Sequence, residues 1–260
     1  MCQGICTIQL TATPIALPLA EVSLFLDLDG TLAPIVARPD LVGPDPERNG
    51  LLSEMALLLE GRLAIISGRS IADVDRITAR ATLNVAGLHG LERRSERIHD
   101  VALPHPGLGE AVAMVDAFAQ ANSDLLVEKK GLAVALHYRE APSLAAETLA
   151  LARRVARATG LRLQEGNMVA ELRSPGPDKG DVLRAFMAEA RFARTTPIFV
   201  GDDLTDEDGF AAALALGGYG VLVGPERATQ ATFRLQDVIE VLRWLETSAA
   251  SGLFRLVRNP

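Results

Sequence analysis

Two aspartates, Asp27 and Asp29, follow the apolar segment 22–26 and stand one residue apart. The segment has the composition of a parallel strand that is buried on both faces, and Gly30 allows the backbone to turn sharply beyond it. Open α/β sheets bind their ligands at the carboxyl ends of the strands. We therefore expect both carboxylates in a ligand site, although Asp29-Gly30 alone is also an ordinary turn signal.

Three later segments repeat this arrangement of an apolar stretch followed by a polar tip marked by glycine. They are residues 65–69, 177–180 and 199–206, and they carry Ser67, Lys179 and Asp202 in that order. Together with the first segment they predict a metal-assisted site for phosphoryl transfer. A carboxylate attacks a phosphate monoester poorly because both are negative, so the attack of Asp27 requires a cation. Mg²⁺ fits this role, with Asp27, the backbone carbonyl of Asp29 and Asp202 as its predicted ligands.

Each remaining polar group of these segments has a predicted part in the reaction. Attack by Asp27 gives an aspartyl-phosphate, and Asp29 protonates the leaving oxygen and then deprotonates the attacking water. The hydroxyls of Thr31 and Ser67 bind phosphoryl oxygens, and Lys179 supplies a fixed positive charge where the transition state is most negative. The alternative for residues 67–69 is a plain strand-to-helix turn that Ser70 caps.

The four segments, in this order, resemble those of the haloacid dehalogenase-like phosphohydrolases. Further motifs resemble the series of the trehalose-6-phosphate phosphatase family: LHGLE at 88–92, EKK at 128–130, LHYR at 136–139, ELR at 171–173, DKG at 178–180 and GDDLTDE at 201–207. The resemblance covers residues 22 to 246. It implies a magnesium-dependent phosphatase that converts trehalose 6-phosphate to trehalose and inorganic phosphate.

The resemblance also implies which side chains bind the substrate. Cap residues of that family grip the distal glucose, and the matching positions are Glu128, Lys130 and Glu171. On spacing alone, residues 128–130 favour a solvated hairpin tip, and Glu171 is also compatible with a side chain that faces water. The other predicted substrate contacts are Thr31, Gly68, Arg69, His89 and Arg94.

Alternatives remain for several of these residues and for the function. His89 is also compatible with a buried histidine that holds a loop, and Arg69 and Arg94 with surface ion pairs. Asp203 and Asp206 belong to an acidic loop that a cation must relieve, and we assign Asp206 to orienting Lys179 or a metal-bound water. The competing functions are a capped phosphatase or mutase for another sugar phosphate, and a sugar-phosphate sensor without catalysis.

The order of apolar patterns predicts the fold class and the domain organisation. Strand and helix patterns alternate up to residue 100 and again from residue 177, which predicts an α/β fold with a doubly wound, mainly parallel, Rossmann-like core sheet. In residues 101–176 a helix pattern followed by two strand patterns occurs twice, which predicts an inserted α+β cap. Proline and glycine lie at both boundaries of this cap with the core. The core would then comprise residues 1–100 and 177–260. The cap would select the leaving group and exclude water.

Composition limits the partners. A net charge of −7 over 260 residues disfavours nucleic acid and anionic membranes, whose phosphates would be repelled. Cys2 and Cys6 have no His or Cys cluster nearby and predict a reduced, loose end. The chain shows neither a secretory signal nor an apolar run long enough to span a membrane, so we expect a cytoplasmic protein. With about twenty residues before the core, a separate synthase would supply the substrate.

Overall fold

The computed structural model of the protein describes residues 15–257. The predictions for Cys2 and Cys6 therefore lie outside the described residues. In chain order the strands are β1 (Ile15–Pro18), β2 (Val22–Leu26), β3 (Leu63–Ile66), β4 (Asn84–Gly87), β5 (Glu92–Arg94), β6 (His99–Val101), β7 (Leu126–Lys129), β8 (Ala133–His137), β9 (Arg162–Gly166), β10 (Val169–Arg173), β11 (Thr196–Gly201), β12 (Tyr219–Val223), β13 (Phe233–Leu235) and β14 (Leu253–Leu256). The helices are α1 (Pro46–Leu58), α2 (Ile71–Thr78), α3 (Leu108–Gln120), α4 (Ala145–Thr159), α5 (Lys179–Met187), α6 (Glu207–Ala215) and α7 (Val238–Ser251).

The largest sheet has eight strands in the order β13-β12-β11-β2-β3-β4-β5-β6. The strands from β13 to β4 pair in parallel, and β5 and β6 extend the sheet in antiparallel orientation. This confirms the predicted α/β fold with a mainly parallel core sheet. The chain runs from β2 through β3 to β4 in one direction and from β11 through β12 to β13 in the other. The order thus reverses between β2 and β11, which is where such sheets bind ligands.

Strand β2 is apolar along its length because both faces of the sheet are covered. Leu24 and Leu26 join a hydrophobic core on one face, while Phe25 joins a second core on the other face with Phe186 and Phe192. All five of these side chains are fully buried. Burying one such side chain contributes about 1.5–3 kcal/mol, so the two cores fix this strand and the residues that follow it.

A second sheet of four antiparallel strands, in the order β7-β8-β10-β9, forms between residues 126 and 173. Its apolar side chains, among them Val134, Leu136 and Leu172, pack with those of α3 and α4 in a separate hydrophobic core. We call residues 108–173 the cap segment. It lies within the range predicted for an inserted cap, and the domain boundaries at residues 101 and 176 stay a prediction.

The polar face of the cap sheet places several residues in one row. Glu128 of β7 and Glu171 of β10 are both register partners of Ala135 on β8, which lies between them. Glu171 also pairs with Gln164 of β9. Side chains directly opposite each other on one face of a sheet lie about 4.5–5.5 Å apart at Cβ. The register therefore gathers two carboxylates over a small alanine side chain.

Five elements differ from the sequence-based expectations. We expected the first long helix at residues 51–60, but α1 begins at Pro46, where Asp45 accepts hydrogen bonds from the first-turn N–H groups. The strands β5 and β6, and the two-stranded pairing of β1 with β14, were not expected. Across residues 15–257, every helix is too short or too polar to cross a lipid bilayer.

Candidate active site

One pocket lies at the carboxyl ends of β2, β3 and β11 and extends to the polar face of the cap sheet. Most of the side chains that we predicted for the site line this pocket. They are Asp27, Asp29, Ser67, Gly68, Arg69, His89, Glu128, Lys130, Glu171, Lys179, Asp202 and Asp203. Residues from the core sheet and from the cap segment thus enclose the same space.

The side chain of Lys179 is buried and paired with two carboxylates. Its Nζ lies 2.6 Å from Oδ1 of Asp206 and 3.1 Å from Oδ1 of Asp27. Burial would lower the pKa of Lys179, but the charges of Asp206 and Asp27 raise it above its ordinary value, so the ammonium stays protonated. Lys179 is the first residue of α5, and a capping box between Asp178 and Asp181 fixes that helix start.

Both carboxylate oxygens of Asp206 accept hydrogen bonds from other groups of the protein. Oδ1 accepts from Lys179, while Oδ2 accepts from the backbone N–H groups of Asp202 at 2.9 Å and Asp203 at 3.0 Å. Asp206 lies close enough to Asp27 and Asp202 to share a metal ion with them. Because its oxygens already accept three hydrogen bonds, its contacts fit the predicted orientation of Lys179 better than metal ligation. The role itself stays a prediction.

The residues predicted to hold a divalent cation fit one. Asp202 Oδ1 is buried and has no hydrogen-bond partner among residues 15–257. Burial and the charges of Asp206 and Asp203 raise the pKa of Asp202 to about 8. Burial likewise raises the pKa of Asp27 well above its ordinary value, and Lys179 offsets only part of this effect. Such crowded oxygens are the ligands that Mg²⁺ and similar cations prefer, and a cation would reverse these shifts.

Gly30 shows how closely the two strand ends approach. Its φ is +81°, and a Cβ built at this position would lie 2.2 Å from Oδ2 of Asp202. The carboxylate of Asp202 therefore lies against the peptide backbone that follows Asp29. Only glycine combines this conformation with so close a contact, which places the Asp29 backbone near the predicted cation ligands.

Asp29 forms an ion pair with Arg69. Nε and Nη2 of Arg69 lie 2.6 and 2.8 Å from the two carboxylate oxygens of Asp29. Burial would lower the pKa of Arg69, but the hydrogen bonds and charge of Asp29 raise it. The Ser70 hydroxyl also caps α2 as the alternative interpretation expected, so this segment forms a helix start and lines the pocket at once. To reach a leaving group, Asp29 has to turn away from Arg69.

The cap wall of the pocket is a charged cluster around Lys130. Its Nζ lies 2.6 Å from Glu171 Oε2 and 3.7 Å from Glu128 Oε2, and it donates to the backbone carbonyl of Gly68 at 3.1 Å. Lys130 thus joins the cap to the loop after β3. Glu128 also contacts His137 Nε2 at 2.9 Å. Although burial works in the opposite direction, His137 and Lys130 lower the pKa of Glu128, which favours the carboxylate.

Of two further predicted residues, His89 lies beside this cluster and Thr31 lies in the turn after β2. His89 is half-buried with φ +55°, and its Nε2 is 3.8 Å from Oε1 of Glu171. Burial and the nearby cations Lys179, Lys130 and Arg173 lower the pKa of His89 well below its ordinary value, so the ring is neutral near pH 7. Thr31 is fully buried after Gly30, and its hydroxyl lacks a hydrogen-bond partner within the described range.

The contacts of Arg94 contradict its predicted role in binding substrate. Instead of contacting substrate, its Nη1 and Nη2 each lie 2.7 Å from an oxygen of Asp75 on α2, and its Nε donates to the carbonyl of Leu83. Arg94 lies on β5, on the side of β4 away from the pocket. The bidentate ion pair holds β5 against α2 and occupies the guanidinium group of Arg94.

Two arginines near the site were missed as functional candidates. Arg139, at the end of the quoted LHYR motif, donates to the carbonyls of Val36 at 2.7 Å and Asn167 at 2.8 Å and so joins the cap to the loop after β2. Arg227 contacts the loop that carries Asp202. The motif was a signal for Arg139, whereas no sequence pattern marked Arg227.

Comparisons with known proteins agree with this geometry. The sequence profile of a family described as trehalose-phosphatase matches residues 25–239. The chain is 41% identical over 231 residues to the trehalose-6-phosphate phosphatase of Escherichia coli strain K12, covering 87% of this chain and 86% of that protein. Its fold is similar to the C-terminal domain of a Candida albicans trehalose-6-phosphate phosphatase, with a TM-score of 0.79 over 89% of this chain and 92% of that one, at 21% identity. It is also similar to a structure described as a trehalose-6-phosphate phosphatase related protein, with a TM-score of 0.73, 27% identity and coverage of 89% and 98%.

Proposed function

Because the chain belongs to the trehalose-phosphatase family of the haloacid dehalogenase-like superfamily, we propose that it hydrolyses trehalose 6-phosphate to trehalose and inorganic phosphate. The observation that carries this proposal is the shared pocket. The acidic strand ends and Lys179 form one wall, and the polar cluster of the cap forms another. One wall suits the phosphoryl group, and the other suits the hydroxyls of a sugar.

In the first half of the reaction a carboxylate oxygen of Asp27 attacks phosphorus. A bond forms between Asp27 and the phosphoryl group, and the bond from phosphorus to the sugar oxygen breaks, which leaves an aspartyl-phosphate. Lys179, already 3.1 Å from Asp27, binds the phosphoryl oxygens together with the hydroxyls of Ser67 and Thr31. Their positions are fixed before substrate arrives, because all three residues are buried.

Asp29 handles the proton in both halves of the reaction. After leaving Arg69, the Asp29 carboxylate takes up a proton from solvent and donates it to the sugar oxygen as that oxygen departs. The resulting Asp29 carboxylate then takes a proton from the water that attacks the aspartyl-phosphate, and phosphate is released. Once Asp29 has released this proton to solvent, Arg69 gives its carboxylate a defined resting position, 2.6 and 2.8 Å from the guanidinium nitrogens.

We propose Mg²⁺ as the cation of this site, which Asp27, Asp202 and the backbone carbonyl of Asp29 would hold. When bound, it neutralises the nucleophile and the substrate phosphate, so that two negative groups can meet. The buried Asp202 oxygen that lacks a partner within residues 15–257 supports this assignment. Asp203 stabilises the loop that carries Asp202, because its carboxylate accepts hydrogen bonds from the N–H and hydroxyl groups of Thr205.

The cap cluster recognises the sugar that leaves. Glu128 and Glu171 accept hydrogen bonds from hydroxyls, and Lys130 donates to them. His89 and Gly68 lie between this cluster and the phosphoryl site, where the two parts of the substrate join. We place the enzyme in the cytoplasm, downstream of the synthase that makes its substrate.

A phosphate-release assay over a panel of sugar phosphates tests the proposed function. With Mg²⁺ present we expect trehalose 6-phosphate to be hydrolysed with a higher kcat/KM than sucrose, mannose or glucose phosphates. A chelator should abolish release, and added Mg²⁺ should restore it. Preference for a monosaccharide phosphate would refute the substrate, while activity that survives the chelator would refute the role of the cation.

A further inference from the structure

The side chain of Arg227 contacts the acidic loop of residues 202–207 from outside. Arg227 lies in the connection between β12 and β13, and its Nη2 donates to the carbonyl of Asp203 at 2.7 Å and approaches that of Asp202 at 3.4 Å. Its Nη1 pairs with the carboxylate of Glu207. The second oxygen of Glu207 accepts from the backbone N–H of Gln230 at 2.8 Å, which joins the two loops at another point.

Arg227 and Asp206 both contact the backbone of Asp202 and Asp203, and they share the peptide group that joins these two residues. On the inner side, Asp206 Oδ2 accepts from the N–H groups of Asp202 and Asp203. On the outer side, Arg227 binds the carbonyls of the same two residues. The backbone on both sides of the Asp202 side chain is therefore fixed. This orientation keeps the Asp202 carboxylate against Gly30 and close to Asp27.

The negative charges of the loop explain why a positive side chain is favourable at this contact. The loop carries four carboxylates, which repel one another, and Lys179 compensates them only from the buried side. The guanidinium of Arg227 is about one-quarter exposed and supplies a positive charge on the other side. Arginine suits this position because its planar group donates to a carboxylate and to carbonyls at the same time.

We propose that Arg227 is a positioning residue for the divalent cation. It holds the acidic loop in the conformation in which Asp202 faces Asp27. Without the Arg227 side chain, the loop samples other conformations. The apparent affinity for the cation then falls in proportion to the lost population of the conformation that binds the cation. The inference rests on the cation site of the proposed function and not on the identity of the sugar.

Calorimetric titration of Mg²⁺ into substrate-free protein tests this role. We expect Arg227→Ala to weaken Mg²⁺ binding about tenfold or more, as is usual when a residue that orients a metal ligand is removed. Arg227→Lys should lie between this variant and the parent, because an ammonium cannot reach all three acceptors. The control is Arg243→Ala, which removes an exposed arginine of α7 and should bind Mg²⁺ as the parent does.

Thermal unfolding of the metal-free proteins separates positioning from a purely structural role. A lower Tm with unchanged Mg²⁺ affinity in both Arg227 variants would overturn the proposal. If Arg227→Ala does not fold, Glu207→Gln is the alternative variant. It keeps the shape of the side chain but weakens the ion pair with Arg227, so it should also bind Mg²⁺ more weakly. Hydrolysis of trehalose 6-phosphate is measured separately, so a wrong substrate would be seen in that assay and not in the titration.

Discussion

Asp27, the proposed nucleophile, lies in a cluster in which negative charges outnumber the protein's own positive charge. Asp27 is nine-tenths or more buried beside Asp202 and Asp206, and Lys179 is the ammonium within hydrogen-bond distance of both Asp27 and Asp206. Burial therefore raises the pKa of each of these three carboxyl groups. This cost in stability is consistent with a site shaped for a cation and a phosphoryl group rather than for the folded state alone.

Asp27→Asn removes the nucleophile without changing the shape of the side chain. We expect kcat to fall by about a thousandfold or more, the scale seen when a nucleophile is removed. The Tm of the metal-free variant should equal or exceed that of the parent, because one crowded carboxylate is gone. Phosphate release and thermal unfolding measure the two effects.

Asp100→Asn is a suitable control for this variant, because Asp100 is exposed on β6 and distant from the pocket residues. It should leave kcat unchanged. A near-normal kcat in Asp27→Asn itself would mean that another residue attacks the phosphorus.

Single residues could be predicted from sequence where a buried strand determined their position. Asp27, Ser67 and Asp202 each follow an apolar strand, so the parallel sheet brings them to one edge. The interpretation of Arg94 was wrong because its partner Asp75 lies nineteen positions away on a helix, and no local pattern encodes that contact. Arg227 was missed for the same reason, because its acceptors are backbone carbonyls more than twenty positions away in sequence.

At the scale of elements, the turn after β2 and the loop after β11 depend on each other. Gly30 belongs to the first and Asp202 to the second, and the conformation of Gly30 leaves room for the Asp202 carboxylate. The parallel pairing of β2 with β11 sets this distance. A change in either connection should therefore be felt at the cation site.

Gly30→Ala tests this dependence. The alanine would adopt a left-handed backbone and collide with Asp202, so we expect destabilisation of about 1–3 kcal/mol. Mg²⁺ affinity should fall as well, since Asp202 has to move. Urea unfolding gives the first quantity and calorimetry the second.

The matched control is Gly50→Ala in α1, where an added Cβ meets no atom within 4 Å. Because glycine is unfavourable inside a helix, this change should stabilise the protein by about 0.5–1 kcal/mol. If Gly30→Ala behaved like the control, the close contact with Asp202 would not be important.

Elements were predictable where apolar periodicity was strong, and not elsewhere. The buried strands β2, β3 and β11 and the cap hairpin of β7 and β8 agree with their patterns. The strands β5 and β6 have polar, partly exposed side chains such as those of Glu92, Arg94 and His99, and they form only because β4 offers an edge. Helix α1 begins with a polar first turn, so its hydrophobic pattern starts later than its backbone.

At the scale of the whole molecule, we propose that substrate specificity and chemistry come from different parts of the chain. The cap contacts the core through Lys130 to Gly68 and through Arg139 to Val36. The register of the cap sheet aligns Glu128 and Glu171, and strand pairing across distant segments is not visible in a local sequence pattern. The sequence therefore predicted the presence of a cap, while its geometry depends on tertiary packing.

Glu128→Gln and Glu171→Gln test this division. Each should lower kcat/KM for trehalose 6-phosphate by about 10–100-fold, the effect of a lost hydrogen bond to a charged group. Hydrolysis of p-nitrophenyl phosphate should change far less, since its leaving group does not reach the cap. Steady-state kinetics on both substrates provide the comparison.

Glu165→Gln is the control for these variants, because Glu165 belongs to the same sheet but pairs with Arg153 at the surface. It should behave as the parent on both substrates. Equal losses on the sugar and aryl substrates in the pocket variants would contradict the assignment of the cap.

Glu171 and Lys179 stand eight positions apart, on the short stretch that leads from β10 into α5. The side chain of Arg173 braces this stretch by donating to the carbonyl of Pro177. If the cap sheet swings about this tether on product release, it pulls on the first turn of α5. We therefore expect trehalose and phosphate to depart in a coordinated order, because the movement that frees one product also loosens the grip on the other.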